Sequence, residues 1–139
     1  MLVKIVCAAL TLMVSASAAS AATAVVCSQV EDLLWTIDEI ETEASDSARV
    51  NKMAVTRLSI RAMQALGSAQ AFADEGELPA GIVQGLETIR DSLRADSDGP
   101  DMPIEEARPL ILESGIAIVS AMPEPCPEAD LPDLAAHLD

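Results

Sequence analysis

Cys126 stands between prolines, in Pro123-Glu124-Pro125-Cys126-Pro127, where neither a helix nor a strand can continue because each proline fixes φ and lacks an amide donor. A cysteine in such a place serves a cross-link, and the identity of its partner decides how the chain must return on itself. Two other cysteines are present, Cys7 and Cys27. Cys7 falls within a stretch built like a secretory signal peptide: Lys4, then an uncharged apolar run IVCAALTLMVSA, then SASAASAATA with small residues at each cleavage position. Ala-x-Ala patterns end at Ala18, Ala21 and Ala24, so residues 1–24 are expected to be removed and the mature chain to begin near Val25. The rival reading is an uncleaved anchor, since residues 5–26 carry no charge, but their second half is Ala/Ser rather than Leu/Ile. Val26 before Cys27 does not suit lipid attachment, which wants a small residue there.

With Cys7 gone, Cys27 and Cys126 remain, and in an oxidising compartment they are expected to pair with each other, the alternatives being two free thiols or an intermolecular bridge. The periplasm of a Gram-negative bacterium, or secretion beyond it, is the expected destination. The bond closes a loop of 99 residues and joins the two ends of the folded domain. This condition bears directly on the number of helices.

Hydrophobic periodicity marks four helical stretches. Ser28-Gln29-Val30-Glu31 has capping-box spacing, and Val30, Leu33, Leu34, Ile37, Ile40 and Ala44 follow it as one helical stripe up to the break Ser45-Asp46-Ser47. A second helix is predicted over 48–73, with Val55, Leu58, Ala62, Ala65, Leu66, Ala69 and Phe72 on one face and a weak point at Gly67-Ser68. Pro79 suits the first turn of a third, whose stripe is Ile82, Val83, Leu86, Ile89 and Leu93, ending at the polar run RADSDGPDMP. Pro109 argues for a short turn at 103–107 and a main fourth helix over 109–122. A buried strand is the alternative for Ile116-Ala117-Ile118-Val119.

In an up-down bundle an even number of helices returns the chain to its starting end. Three helices would leave the two sulfurs tens of ångströms apart at 1.5 Å per residue. The expectation is therefore all-α: a small four-helix up-down bundle over 25–126 closed by the Cys27–Cys126 bond, with a short tail over 127–139 able to dock as a helical turn.

Losing Lys4 leaves seven basic residues against 23 acidic ones, a net charge of −16 that excludes nucleic acid and anionic membrane as main partners. Catalytic chemistry is also poorly provided for. His137 is the only histidine and lies two residues from the end, where chains usually fray. No nucleophile elbow, zinc-protease or phosphate-loop motif occurs, so no enzyme activity is expected. No cofactor is expected either: C-x-x-C-H is absent, and a calcium loop placing Asp96, Asp98, Gly99 and Glu105 would need a carboxylate where Arg94 stands.

Two surface features carry functional expectations. The stripe of the first helix centres on Leu33 and Ile37, which turns Trp35 to the opposite face among Asp32, Asp38, Glu39, Glu43 and Asp46. Either the tail covers Trp35 with Leu131, Leu134 and Leu138, or Trp35 anchors a partner. Opposite the stripe of the second helix lie Met53, Ile60 and Met63, explained by central placement or by an adaptable binding surface. The expected function is a protein-interaction module, an inhibitor, immunity-type partner or accessory subunit, engaging a basic protein. The alternatives are an acid-responsive periplasmic chaperone and, further off, a metal- or haem-binding bundle. The sequence carries no signal of oligomeric state.

Overall fold

A computed structural model of the chain describes residues 2–47, 52–73, 78–98 and 104–138, with side chains for 24–46, 52–71, 78–93 and 105–138. Its elements are α1 (Leu2–Ser47), α2 (Lys52–Ala73), α3 (Ala80–Asp98), α4 (Ile104–Ala121) and a 3-10 turn at Leu134–Leu138. The described residues contain no strand, and Ile116–Val119 are helical.

Two expected boundaries are corrected. Helix α1 does not start at Ser28: it runs through that position from Leu2, and its 46 residues contain neither glycine nor proline. A capping box stops a helix only where the preceding residues cannot be helical, and here they are alanine-rich, the best helix formers. Helix α4 likewise does not wait for Pro109 but begins at Ile104 and carries the proline inside it. Pro109 is exposed and within two turns of the helix start, so the Glu105 carbonyl it leaves without an amide donor lies where water can serve it. Ala107, buried, and Arg108, ion-paired to α1, hold these first turns against the bundle.

The apolar stripes account for the core. Val30, Leu33, Leu34, Ile37, Ile40 and Ala44 of α1 are all buried, as are Leu58, Ala62, Ala65, Leu66 and Ala69 of α2 and Ile82, Leu86, Ile89 and Leu93 of α3. Phe72 lies outside the described side chains, and Asp96 and Asp98 of the weighed calcium loop fall inside α3 rather than in a loop. From α4, Ile111, Leu112, Ile118 and Met122 complete the cluster. Where α3 meets α4 the helices come close: a Cβ on Gly85 would stand 2.6 Å from Ile118 Cγ1, so only glycine fits.

Cys27 and Cys126 are disulfide-bonded with Cα atoms 5.8 Å apart, as the even helix count requires. Residues paired between α1 and α4 with the turn after it run in opposite order: Cys27 with Cys126, Ile37 beside Gly115, Glu41 with Arg108. The two helices are therefore antiparallel. Between α1 and α2 the order also reverses, with Thr36 meeting Arg61 and Glu39 meeting Arg57. Helices adjacent in sequence pack on one another, whereas α1 meets α4 over a shorter front. That seam is where the tail inserts.

A candidate interaction face on α1 and the tail

Pro123 ends α4, and the Cys126 amide donates to the Met122 carbonyl (2.8 Å), which turns the chain back toward Cys27. Beyond the disulfide a short turn, in which the Ala129 amide donates to the Cys126 carbonyl (3.2 Å), leads the chain onto α1. There the Trp35 indole Nε1 donates to the Asp130 carbonyl (2.9 Å). The tail then drops Leu134, only 1% exposed, into the α1–α4 seam. Gly115 of α4 makes the notch for it: a Cβ there would lie 2.8 Å from Leu134 Cδ1 and 3.2 Å from Ile37 Cδ1. One turn on, His137 Nε2 donates to Asp38 Oδ1 (2.8 Å) with both groups largely covered. The tail is thus held by a backbone carbonyl, an apolar plug and an imidazole.

Trp35 remains 41% exposed, so it is neither free nor covered over. The three leucines expected to cover it behave differently. Leu134 goes into the seam, Leu131 is half-buried, and Leu138 is exposed. The contact to Trp35 comes from the backbone of Asp130, which no side-chain pattern announces.

Of the acidic residues around Trp35, Asp38 is taken by His137, and Glu39 accepts from Arg57 Nη2 of α2 (2.8 Å). Arg61 Nη1 reaches across from α2 to the Asp32 carbonyl (3.3 Å) and to Thr36 Oγ1, whose hydroxyl donates to the same carbonyl (2.8 Å). The opposed charges of α1 and α2 meet in the exposed Arg57–Glu39 pair, of the kind worth about 0–1 kcal/mol. Met53, Ile60 and Met63 on α2 are 72%, 47% and 55% exposed, so central placement does not explain them.

Beside the tail, the seam widens into a cleft of about 620 Å³ whose apolar wall is Leu112 and Ile116 and whose rim carries Glu113, His137 and Leu138. At its edge Arg108 grips Glu41 with two parallel bonds, Nε to Oε1 (3.1 Å) and Nη2 to Oε2 (2.8 Å). The hydrogen bond that Arg108 donates to Glu41 raises the Arg108 pKa above its ordinary value; burial opposes this, and the charges of Glu41 and Glu105 add to it. This pair fixes the far end of the seam from the disulfide.

Sequence reasoning passed over Gly115, Glu41 and Arg108 and set His137 aside as frayed. A glycine in the middle of an apolar helix was the one available signal, since such a position costs helix stability unless something packs on it. Among the described residues no helix is long and apolar enough to cross a membrane, and no group of three metal-ligating side chains converges. Comparison of the chain with protein-family models, with curated proteins and with solved structures finds no match.

Proposed function

We propose that the protein is exported, loses residues 1–24, and acts in the periplasm or outside the cell by binding another protein rather than by catalysis. The bound surface is the α1 face around Trp35 and Asp38, and the partner is basic. What carries this reading is the indole of Trp35: half-exposed on an acidic face, it already holds a backbone carbonyl of the tail. Tryptophan combines apolar area with a directional donor, which is why it dominates binding hot spots. The surrounding carboxylates would steer a cationic partner and repel acidic ones. Inhibitor, immunity-type partner and accessory subunit all fit this description.

The test is affinity capture from periplasmic extract with wild type beside Trp35→Ala, in low and high salt. Wild type should retain a basic protein that salt releases, and Trp35→Ala should weaken retention by tenfold or more, in line with the roughly 2 kcal/mol of a hot-spot residue. Equal retention by the variant would remove Trp35 from the site. N-terminal sequencing of the exported protein should read from near Val25.

A second reading rests on Met53, Ile60 and Met63, an exposed apolar set on α2. A chaperone would use such an adaptable surface. Acid would protonate the carboxylates of this strongly acidic chain and loosen the bundle around it. Dye binding that rises between neutral and acid pH, together with protection of a client from aggregation, supports that reading; a native, inert chain at low pH removes it.

A further inference from the structure

We infer that the tail over residues 127–138 is a built-in, displaceable stand-in for the partner, and that the partner presents, on a basic segment, an apolar side chain followed three residues later by a side-chain hydrogen-bond donor. This deepens the proposed binding role and rests on it. The tail displays what the seam accepts. A carbonyl meets Trp35 Nε1, Leu134 enters the notch at Gly115, and His137 meets Asp38. The 3-10 turn at Leu134–Leu138 brings residues three apart onto one side, so Leu134 and His137 address the same face of α1.

The tail matches the seam in shape but not in charge. Glu128, Asp130 and Asp133 are exposed on it, beside a helix with seven carboxylates from Glu31 to Asp46, of which Glu39 and Glu41 are ion-paired to arginines of other helices. His137 gives it a side-chain hydrogen bond to Asp38. A segment with the same three anchors and basic residues in place of those acids gains attraction where the tail carries repulsion, so it displaces the tail. The bundle need not open for this. The disulfide and the Glu41–Arg108 pair hold the seam on either side of Leu134, and the tail leaves from a fixed point at Cys126. The cleft beside His137 and Leu138, lined by the half-buried Ile116, gives an incoming segment further room at the edge of the seam.

The test uses the full chain carrying Leu134→Ala and His137→Ala, which releases the tail and leaves the seam intact, with circular dichroism and disulfide mapping to establish the fold. Two labelled synthetic peptides are titrated against it: one with the sequence of residues 128–138, and one in which Glu128, Asp130 and Asp133 are lysines. Both should bind and change the fluorescence of Trp35, the chain's one tryptophan. Because the tethered tail competes at an effective concentration on the order of millimolar, wild type should bind each at least about tenfold more weakly. The lysine peptide should bind tighter in low salt and lose affinity as salt rises, while the acidic peptide gains affinity, the two converging when charges are screened. A peptide with Leu134→Ala, or a released-tail protein that also carries Gly115→Ala, should lose binding.

The inference is overturned by an acidic peptide that does not bind the released form, by equal binding to wild type, or by a lysine peptide no tighter than the acidic one. Any of these with Trp35-dependent capture intact leaves the binding role standing and removes only the stand-in. Peptide binding as described with capture indifferent to Trp35→Ala removes the proposed role of the face instead.

Discussion

Replacing Gly115 with alanine sets two effects of similar size against each other. In a helix interior alanine is favoured over glycine by about 1 kcal/mol. At this site, however, the new Cβ would stand 2.8 Å from Leu134 Cδ1 and 3.2 Å from Ile37 Cδ1. Ile37 is locked in the core of α1, whereas Leu134 rides on a segment attached at one side, so Leu134 is the one to yield. Its burial contributes about 1.5–3 kcal/mol. The net expectation is a loss of about 1 kcal/mol, or a melting temperature lower by about 4–8 °C for a domain of this size.

The sign should reverse when Leu134→Ala is already present. The obstructing methyl group is then gone, Ile37 can relax into the space, and only the helix-propensity gain of up to about 1 kcal/mol remains. The coupling between the two sites is therefore about 2 kcal/mol, well above the few tenths expected of independent positions. Denaturant unfolding of the four proteins, followed by far-UV circular dichroism without reductant, measures it directly. An effect of Gly115→Ala that keeps the same sign in both backgrounds would refute the notch. Quenching of Trp35 fluorescence gives an independent reading: Gly115→Ala should open the indole to quencher while helix content stays unchanged.

Gly85→Ala should destabilise in every background, because its Cβ would strike Ile118 at 2.6 Å, where both sides belong to the core; denaturant midpoints check this. Removing both disulfide cysteines, as Cys27→Ala with Cys126→Ala, should cost up to about 4.7 kcal/mol by the chain-entropy argument for a loop of this length, seen as a lower melting temperature that reductant no longer changes. Arg108→Met should cost about 2–3 kcal/mol, less than a fully buried pair because Arg108 is partly exposed, since it leaves Glu41 with a 9%-exposed side chain and no counter-charge. Arg108→Lys should not restore it, lacking two parallel donors, whereas Glu41→Leu with Arg108→Met should recover most of the loss in the same unfolding assay.

Helix number and covalent closure were legible because each rests on a strong, local regularity. Leu33, Leu34 and Ile37 recur at helical spacing, and Cys126 between prolines admits a cross-link and little else. The start of α1 was not legible from Ser28 and Glu31, since a cap is defined by what precedes it and nothing upstream breaks a helix. Pro109 misled in the opposite sense: its missing donor matters in a buried helix interior and much less on the exposed side of an opening turn. The site was legible only in part. Trp35 on an acidic face is a matter of angle along one helix, but its partner is the backbone carbonyl of Asp130, 95 residues away, and every residue type supplies a carbonyl. His137 is close to the end in sequence yet fixed in space, because Leu134 three residues earlier is anchored in the seam.

The arrangement of fasteners along that seam explains why a buried tail leucine need not be structural in the ordinary sense. Cys27 and Glu41 are 14 residues apart on α1, about 21 Å at 1.5 Å per residue, and at these two levels α1 is joined by a covalent bond to the turn that follows α4 and by a two-bond ion pair to α4 itself. Between them the helices approach at Gly115, and the space left over takes one leucine. A bundle that depended on its tail for closure would place the plug at an unfastened end, where its loss lets the helices splay. Here the plug lies between two fixed levels, so its departure uncovers a groove without changing the frame around it. Local opening therefore costs the tail's own contacts and little more, the energetic condition for a surface that exchanges one peptide segment for another.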